Sequence, residues 1–265
     1  MINNKSLSSI ALSVAVALSG SALADTQDVQ DMSDPLSVYT QAGLGYTDKG
    51  LNLKIGQAYD TGDANTMAMN VLEVKGFAGD AIGWNGRGAD DSIDSLRYRN
   101  FSVDLTNGRG AQVDVNVAFD SDLGTQGTAS YSLIQALPKM GPLNLYPLAG
   151  AGLAFGESFD QNNKGALEAQ DRWDLHGSFY VVGMYGKLEL TDNIWVNYNP
   201  MYMGTISGSD PFQNGSMEGS DSVFTHEAAV SYQINDRTNV RYFANWTENT
   251  NYANGDHRIE VNYQF

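Results

Sequence analysis

The chain contains no cysteine. That excludes disulfides, thiolate metal ligands and thiol nucleophiles. A domain of this length can bury a core without disulfides, so the lack is compatible with export. Proline is scarce, with six in 265 residues, whereas glycine (28) and tyrosine (14) are plentiful. That balance fits many short strands joined by turns. Past the first two dozen residues no run is apolar enough for a membrane helix, which takes about 20 residues. A chain lacking such a run crosses a bilayer only as a closed barrel, because only helices and barrels satisfy every backbone group in lipid. On these facts alone a soluble exported protein stays open. Positive charge is also sparse. Fifteen Lys and Arg stand against 31 Asp and Glu, a formal charge of −16. Nucleic-acid binders carry basic patches, so that partner class is excluded.

The N-terminus has a processing pattern. Lys5 is the one charge of the opening segment, an apolar run spans Ile10 to Leu18, and Ser21-Ala22-Leu23-Ala24 supplies small residues at a cleavage site. Residues 1–24 therefore read as a secretory signal peptide. Its run is too short for a spanning helix. Residues 25–35 hold four aspartates and no base, and read as a disordered, acidic periplasmic lead-in. Residues 36–265 read as one domain.

That domain alternates strand-like and turn-like segments and has no amphipathic helix. Twelve strands can be counted. In the first, Val38, Thr40, Ala42, Leu44 and Tyr46 alternate with other residues. In the fourth, the apolar set is Phe101, Val103 and Leu105. In the fifth, Val113, Val115, Val117 and Phe119 are separated by Gln112, Asp114 and Asn116. Strict alternation gives each strand one apolar and one polar face. A soluble barrel turns the apolar face inward; a membrane barrel turns it to lipid.

Three features favour lipid. The connections alternate in length. Gly62–Asn65, Asn107–Gly110, Pro138–Pro142, Thr191–Asn193 and Asn235–Arg237 are short. Gly79–Asp91, Ser121–Gln126, Gly156–Asp174, Ser207–Asp221 and Glu248–Asp256 are longer, with Thr47–Gly50 the exception. Short turns on one side and long loops on the other are the membrane-barrel habit, and termini on one side require an even strand count. Aromatics gather near strand ends, among them Tyr39, Tyr46, Tyr59, Phe119, Tyr180, Tyr202, Tyr232, Trp246 and Tyr263, as interfacial girdles require. Lastly, Ile259, Val261, Tyr263 and Phe265 alternate with Glu260, Asn262 and Gln264, and the sequence stops on an aromatic.

Here the chain resembles Gram-negative outer-membrane barrel proteins, whose last strand ends in a terminal aromatic with an aromatic or apolar residue two before it. Tyr263 and Phe265 match that assembly signal. In length and strand count the chain is similar to small porins of twelve strands. The small-residue segment Tyr146–Phe155 is similar to strands of OmpA-like barrels. The resemblance implies an all-β fold, an antiparallel transmembrane up-and-down β-barrel of about twelve strands, with eight to ten as the alternative. It implies location in the outer membrane, contact with membrane lipid and lipopolysaccharide, and handling by periplasmic chaperones and the barrel-assembly machinery. No cofactor is expected.

If the apolar set meets lipid, the opposite set faces the lumen: Lys54, Glu73, Lys75, Asp104, Asp114, Glu227, Arg241, Arg258 and Glu260. An ionised Arg or Lys on the lipid face would cost roughly 2–4 kcal/mol at the midplane. These charges either line a constriction that selects small polar solutes or form a paired network that plugs the bore. Mixed signs argue against a dedicated anion path, and acidic loops favour cation access. Arg97 and Arg99 share parity with Phe101 and are expected outside, near lipopolysaccharide phosphates. Three functions follow: porin-like passage of small solutes or ions, a non-conducting barrel that meets surface partners, and a lipid hydrolase. The hydrolase reading rests on His176 and Ser178, whose spacing puts both on one strand face. The outer-membrane phospholipases have an Asn-Gly-rich continuation where this chain has Phe179-Tyr180-Val181. Asp160–Asp171 has part of an EF-hand spacing, with Lys164 at a ligand position. Asp90, Asp91 and Asp94, or Asp120 and Asp122, are loose acidic groups. No metal site is assigned.

Overall fold

A computed structural model describes residues 29–82, 92–120, 124–159 and 169–265. The signal-peptide segment, most of the Gly79–Asp91 connection and the Asp160–Asp171 segment, except its last residues, lie outside these. Twelve strands follow in order: β1 Gln41–Thr47, β2 Gly50–Asp60, β3 Thr66–Phe77, β4 Ser95–Asp104, β5 Arg109–Asp120, β6 Gly124–Gln135, β7 Leu143–Phe159, β8 Ala169–Glu189, β9 Ile194–Gly208, β10 Ser222–Asn235, β11 Thr238–Thr247 and β12 Asp256–Gln264. Each pairs antiparallel with its neighbour in sequence, and β1 pairs with β12 from Gln41↔Gln264 to Thr47↔Arg258. The sheet closes and keeps no free edge, which is what lets a β-structure stand in hydrocarbon.

At one end the connections are short and largely capped by their own side chains. Asp63 accepts from the Asn65 N–H at 3.0 Å, Asn107 from the Arg109 N–H at 2.9 Å, and Asn235 from the Arg237 N–H at 3.0 Å. Such local bonds are why Asx residues fill turns. Gly108 takes a left-handed φ of 67° in one of them. At the other end the β7–β8 hairpin is long, its strands running 17 and 21 residues. A short helix, α1 (Gly79–Ile82), follows β3, and another, α2 (Asp210–Gly215), lies in the β9–β10 connection. Phe212 of α2 is buried against Ala154 and Phe179, so this connection folds back over the mouth. Of the segment expected as the Ser121–Gln126 loop, the described residues 124–126 are strand, since β6 starts at Gly124.

The outer face is apolar. Leu44, Leu72, Tyr131, Leu133, Leu153, Val182, Val230, Ile259 and Val261 are all exposed there, at 46% or more. A belt of that size in water would far exceed the apolar patches soluble monomers tolerate. The inner face instead buries Gln41, Asn52, Glu73, Gln112, Lys187, Asn197, Ser231, Asn239, Glu260 and Asn262. Polar inside and apolar outside is the membrane-barrel arrangement.

Three expectations need correction. Of residues 25–35, expected as a disordered lead-in, the described residues 29–35 are structured, together with residues 36–40. They fold into the short-turn mouth as a strap, where Met32, Val38 and Tyr39 are buried at 5%, 4% and 8% exposure. Val38 therefore leaves the outward set and Tyr39 leaves the girdle. Phe101 and Val103 also face inward, packing with Val38, Met69 and Val71. The strap supplies the apolar surface that makes an inward valine favourable at this level. The phase of β4 thus reverses: Leu96 and Tyr98 face out, and Arg97 and Arg99, expected outside, face the lumen. Carboxylates wait for them on neighbouring strands, which the local sequence does not reveal.

Candidate functional site: the barrel lumen

Glycines on β1 make room for long side chains. A Cβ on Gly43 would sit 2.5 Å from Asn262 Oδ1 and 3.1 Å from Lys54 Cε. On Gly45 it would sit 2.9 Å from Arg258 Cδ. Into that space β2 and β12 project a buried ion pair, Lys54 Nζ to Glu260 Oε1 at 2.6 Å, and Arg258 Nε approaches the other oxygen at 3.2 Å. Next along the wall, Glu73 takes Lys75 at 3.3 Å and a contact from Arg99. Arg97 grips both oxygens of Asp114, with Nε at 2.9 Å, and Gln112 donates to Asp114 at 3.1 Å. Arg241 donates to Ser231 at 2.9 Å and to Asn197 at 2.7 Å. The guanidinium carbons of Arg241 and Arg258 lie 4.6 and 4.3 Å from the Phe243 ring, so this phenylalanine carries two cation–π contacts. Glu227 accepts from Asn199 at 2.7 Å.

Of the nine side chains expected in the lumen, eight come together on this wall. Asp104 is elsewhere: it ends β4 and caps the turn, accepting from the Thr106 N–H at 2.8 Å and from Asn107 at 2.7 Å. The opposite wall is uncharged at mid-height and lined by Thr128, Ser130, Ser132, Met201 and Met203. Mid-bore, six cationic chains (Lys54, Lys75, Arg97, Arg99, Arg241, Arg258) face four carboxylates (Glu73, Asp114, Glu227, Glu260). The acid groups Asp48, Asp94 and Asp256 stand toward the long-loop rim.

Tyr185 of β8 reaches across to β5, donating to Gln112 Oε1 at 3.1 Å. It narrows the bore at the level of Arg97 and Arg99. A vestibule of about 1780 Å³ opens on the long-loop side, and an inner chamber of about 480 Å³ follows the charged wall from Lys49 and Asp256 at the rim down to the strap, with Arg97, Arg99, Tyr185 and Glu227 bordering both. Tyr185 was missed in the sequence because its partner lies three strands away.

The residues considered for hydrolysis part company. Ser178 Oγ lies 2.8 Å from Ser207 Oγ and is paired with outward-facing Leu153. His176 Nε2 lies 3.0 Å from Gln126 Oε1 and lines the vestibule. A bulge near His176 offsets the register by one, which breaks the shared face their spacing implies. At the C-terminus the Tyr263 and Phe265 rings meet edge to face, 5.2 Å apart. Among the described residues no group of three His, Asp or Glu side chains is placed to hold a metal ion.

No protein-family model and no curated protein matches the chain. Solved structures do. An outer membrane channel from Pseudomonas putida F1 is similar at a TM-score of 0.54 and 9% identity, covering 89% of this chain and 98% of that one. The NanC porin is similar at 0.49 and 8% identity, covering 85% and 98%. The KdgM porin, solved in complex with disordered oligogalacturonate, is similar at 0.46 and 8% identity, covering 86% and 99%. At 9% identity the likeness to the Pseudomonas putida channel is one of fold alone.

Proposed function

We propose that the protein is an outer-membrane barrel that passes small hydrophilic solutes or ions through its lumen. The observation that carries this reading is a polar, charge-lined interior of two connected chambers inside a closed sheet whose outside is apolar. Twelve strands give a bore between the filled interior of eight and the wide channel of sixteen. The mid-bore charges would make the narrow level more favourable for anions than the acidic rim, and neutral solutes would meet hydrogen-bonding groups throughout. Under the same reading residues 1–24 direct export and are removed near Ala24. Tyr263 and Phe265 engage the assembly machinery, and the exposed aromatics rest at the two lipid interfaces beside lipopolysaccharide. Purified protein reconstituted in planar bilayers is expected to give stepwise conductance. A folded barrel that stays electrically silent and admits no small sugar into vesicles would refute the proposal.

A further inference from the structure

We propose that residues 29–40 form a strap that closes the short-turn end of the bore, so that full passage requires the strap to leave the mouth. The inference rests on the passage reading above.

The strap crosses the opening. Leu36 packs against the cluster of Val38, Met69, Val71 and Val103 at β3–β4 and against that of Ile134, Tyr146 and Leu148 at β6–β7, so one side chain spans the wall from β3 to β7. Asp31 reaches Lys187 of β8 at 3.0 Å. Met32 lies 3.4 Å from Gln233 Nε2 and 3.6 Å from Asn239 Nδ2. Gln30 exchanges two bonds with the Gln264 side chain, at 3.1 and 2.9 Å. The inner chamber is floored by Met32, Ser33, Asp34, Pro35 and Ser37. A solute descending from the vestibule therefore meets the strap.

The manner of attachment makes the strap separable from the wall. Up to Val38 its backbone pairs with no strand; the bonds within it are local turns, Asp34 N–H to Asp31 at 3.2 Å and Ser37 N–H to Asp34 at 3.1 Å. The wall is laced by ladders on both sides of every strand, whereas up to Val38 the strap is held by side-chain contacts and by the bonds of the Gln30 backbone to the Gln264 side chain. The Asp31 carboxylate is 60% exposed, so the ion pair that fixes one end sits at the water's edge. Segments held in this way occupy the low-stability end of a fold and open first.

The test uses the full barrel in planar bilayers. One variant lacks residues 30–38. A second carries Asp31→Cys and Lys187→Cys in a chain with no native cysteine, joined by a short crosslinker that a reductant cleaves. Removal of the strap is expected to raise the unit conductance by at least about twofold, as an opened constriction does. The crosslinked barrel should show only the low level, and cleavage should restore the wild-type trace. Equal conductance with and without the strap, or an unchanged full open level in the crosslinked form, overturns the proposal and leaves passage standing. Silence of both the wild-type and the strapless barrel, each folded by circular dichroism, overturns passage and the strap together. If the shortened chain does not fold, the crosslinked form decides alone.

Discussion

If ions pass the Arg97–Arg99 level, a single charge there should set the balance between anion and cation. Lys75 and Glu227 allow the test in both directions. Lys75 lies 3.3 Å from Glu73, which keeps its Arg99 contact if the ammonium is lost. Glu227 accepts one bond from Asn199, and glutamine at that position can still accept it. Lys75→Gln removes one positive charge and Glu227→Gln one negative charge, with little change in volume. A unit charge about 6 Å from a monovalent ion is worth roughly 0.7 kcal/mol in water. The sign is opposite for anion and cation, so the selectivity ratio moves by about 1.4 kcal/mol, or about tenfold. Screening over a Debye length of about 10 Å in 0.1 M salt reduces this to about fourfold. Reversal potentials across a KCl gradient measure the ratio directly. Lys75→Gln is expected to lower chloride over potassium permeability by about fourfold, and Glu227→Gln to raise it as much. A shift of both variants in one direction, or no shift in either, would show that these side chains lie outside the ion path.

Two further predictions concern the wall. Val115 of β5 points to lipid and Ser130 of β6, paired with Asp114, points to the lumen. Val115→Arg should destabilise the barrel by roughly 2–4 kcal/mol in urea unfolding from vesicles, while Ser130→Arg costs under about 1 kcal/mol; equal costs would contradict the facing. Gly43→Val would push a side chain against Asn262 and Lys54. It should cost about 1–3 kcal/mol in the same assay, with the outward Leu44→Val well below that, and a harmless Gly43→Val would mean that the lumen groups have room to spare.

Much of this architecture was legible in the residues because its rules are local. Alternation with period two marks Val113–Phe119 and Ile259–Phe265 as strands with one apolar face, whatever surrounds them. The Asx and glycine residues at Asn107–Gly110 and Asn235–Arg237 close hairpins by bonds within a few residues. The cost of a charge in lipid puts Lys54, Glu73 and Glu260 on the inner side of those strands. Where the rules were applied to β4 they failed, because alternation has a phase but no compass. Phe101 and Val103 are as apolar as any lipid-facing pair, and only the strap beside them makes the interior apolar at that height.

What the sequence by itself determined is therefore the strand set, the short turns and the polar-in, apolar-out logic, each governed by contacts along or between adjacent strands. The tertiary structure decided what meets beyond neighbouring strands: Lys54 of β2 with Glu260 of β12, Tyr185 with Gln112, and an acidic segment folded into the mouth beside Leu36. Those contacts depend on the curvature of the closed sheet, which sums small twists over twelve strands and brings together residues that no local pattern relates.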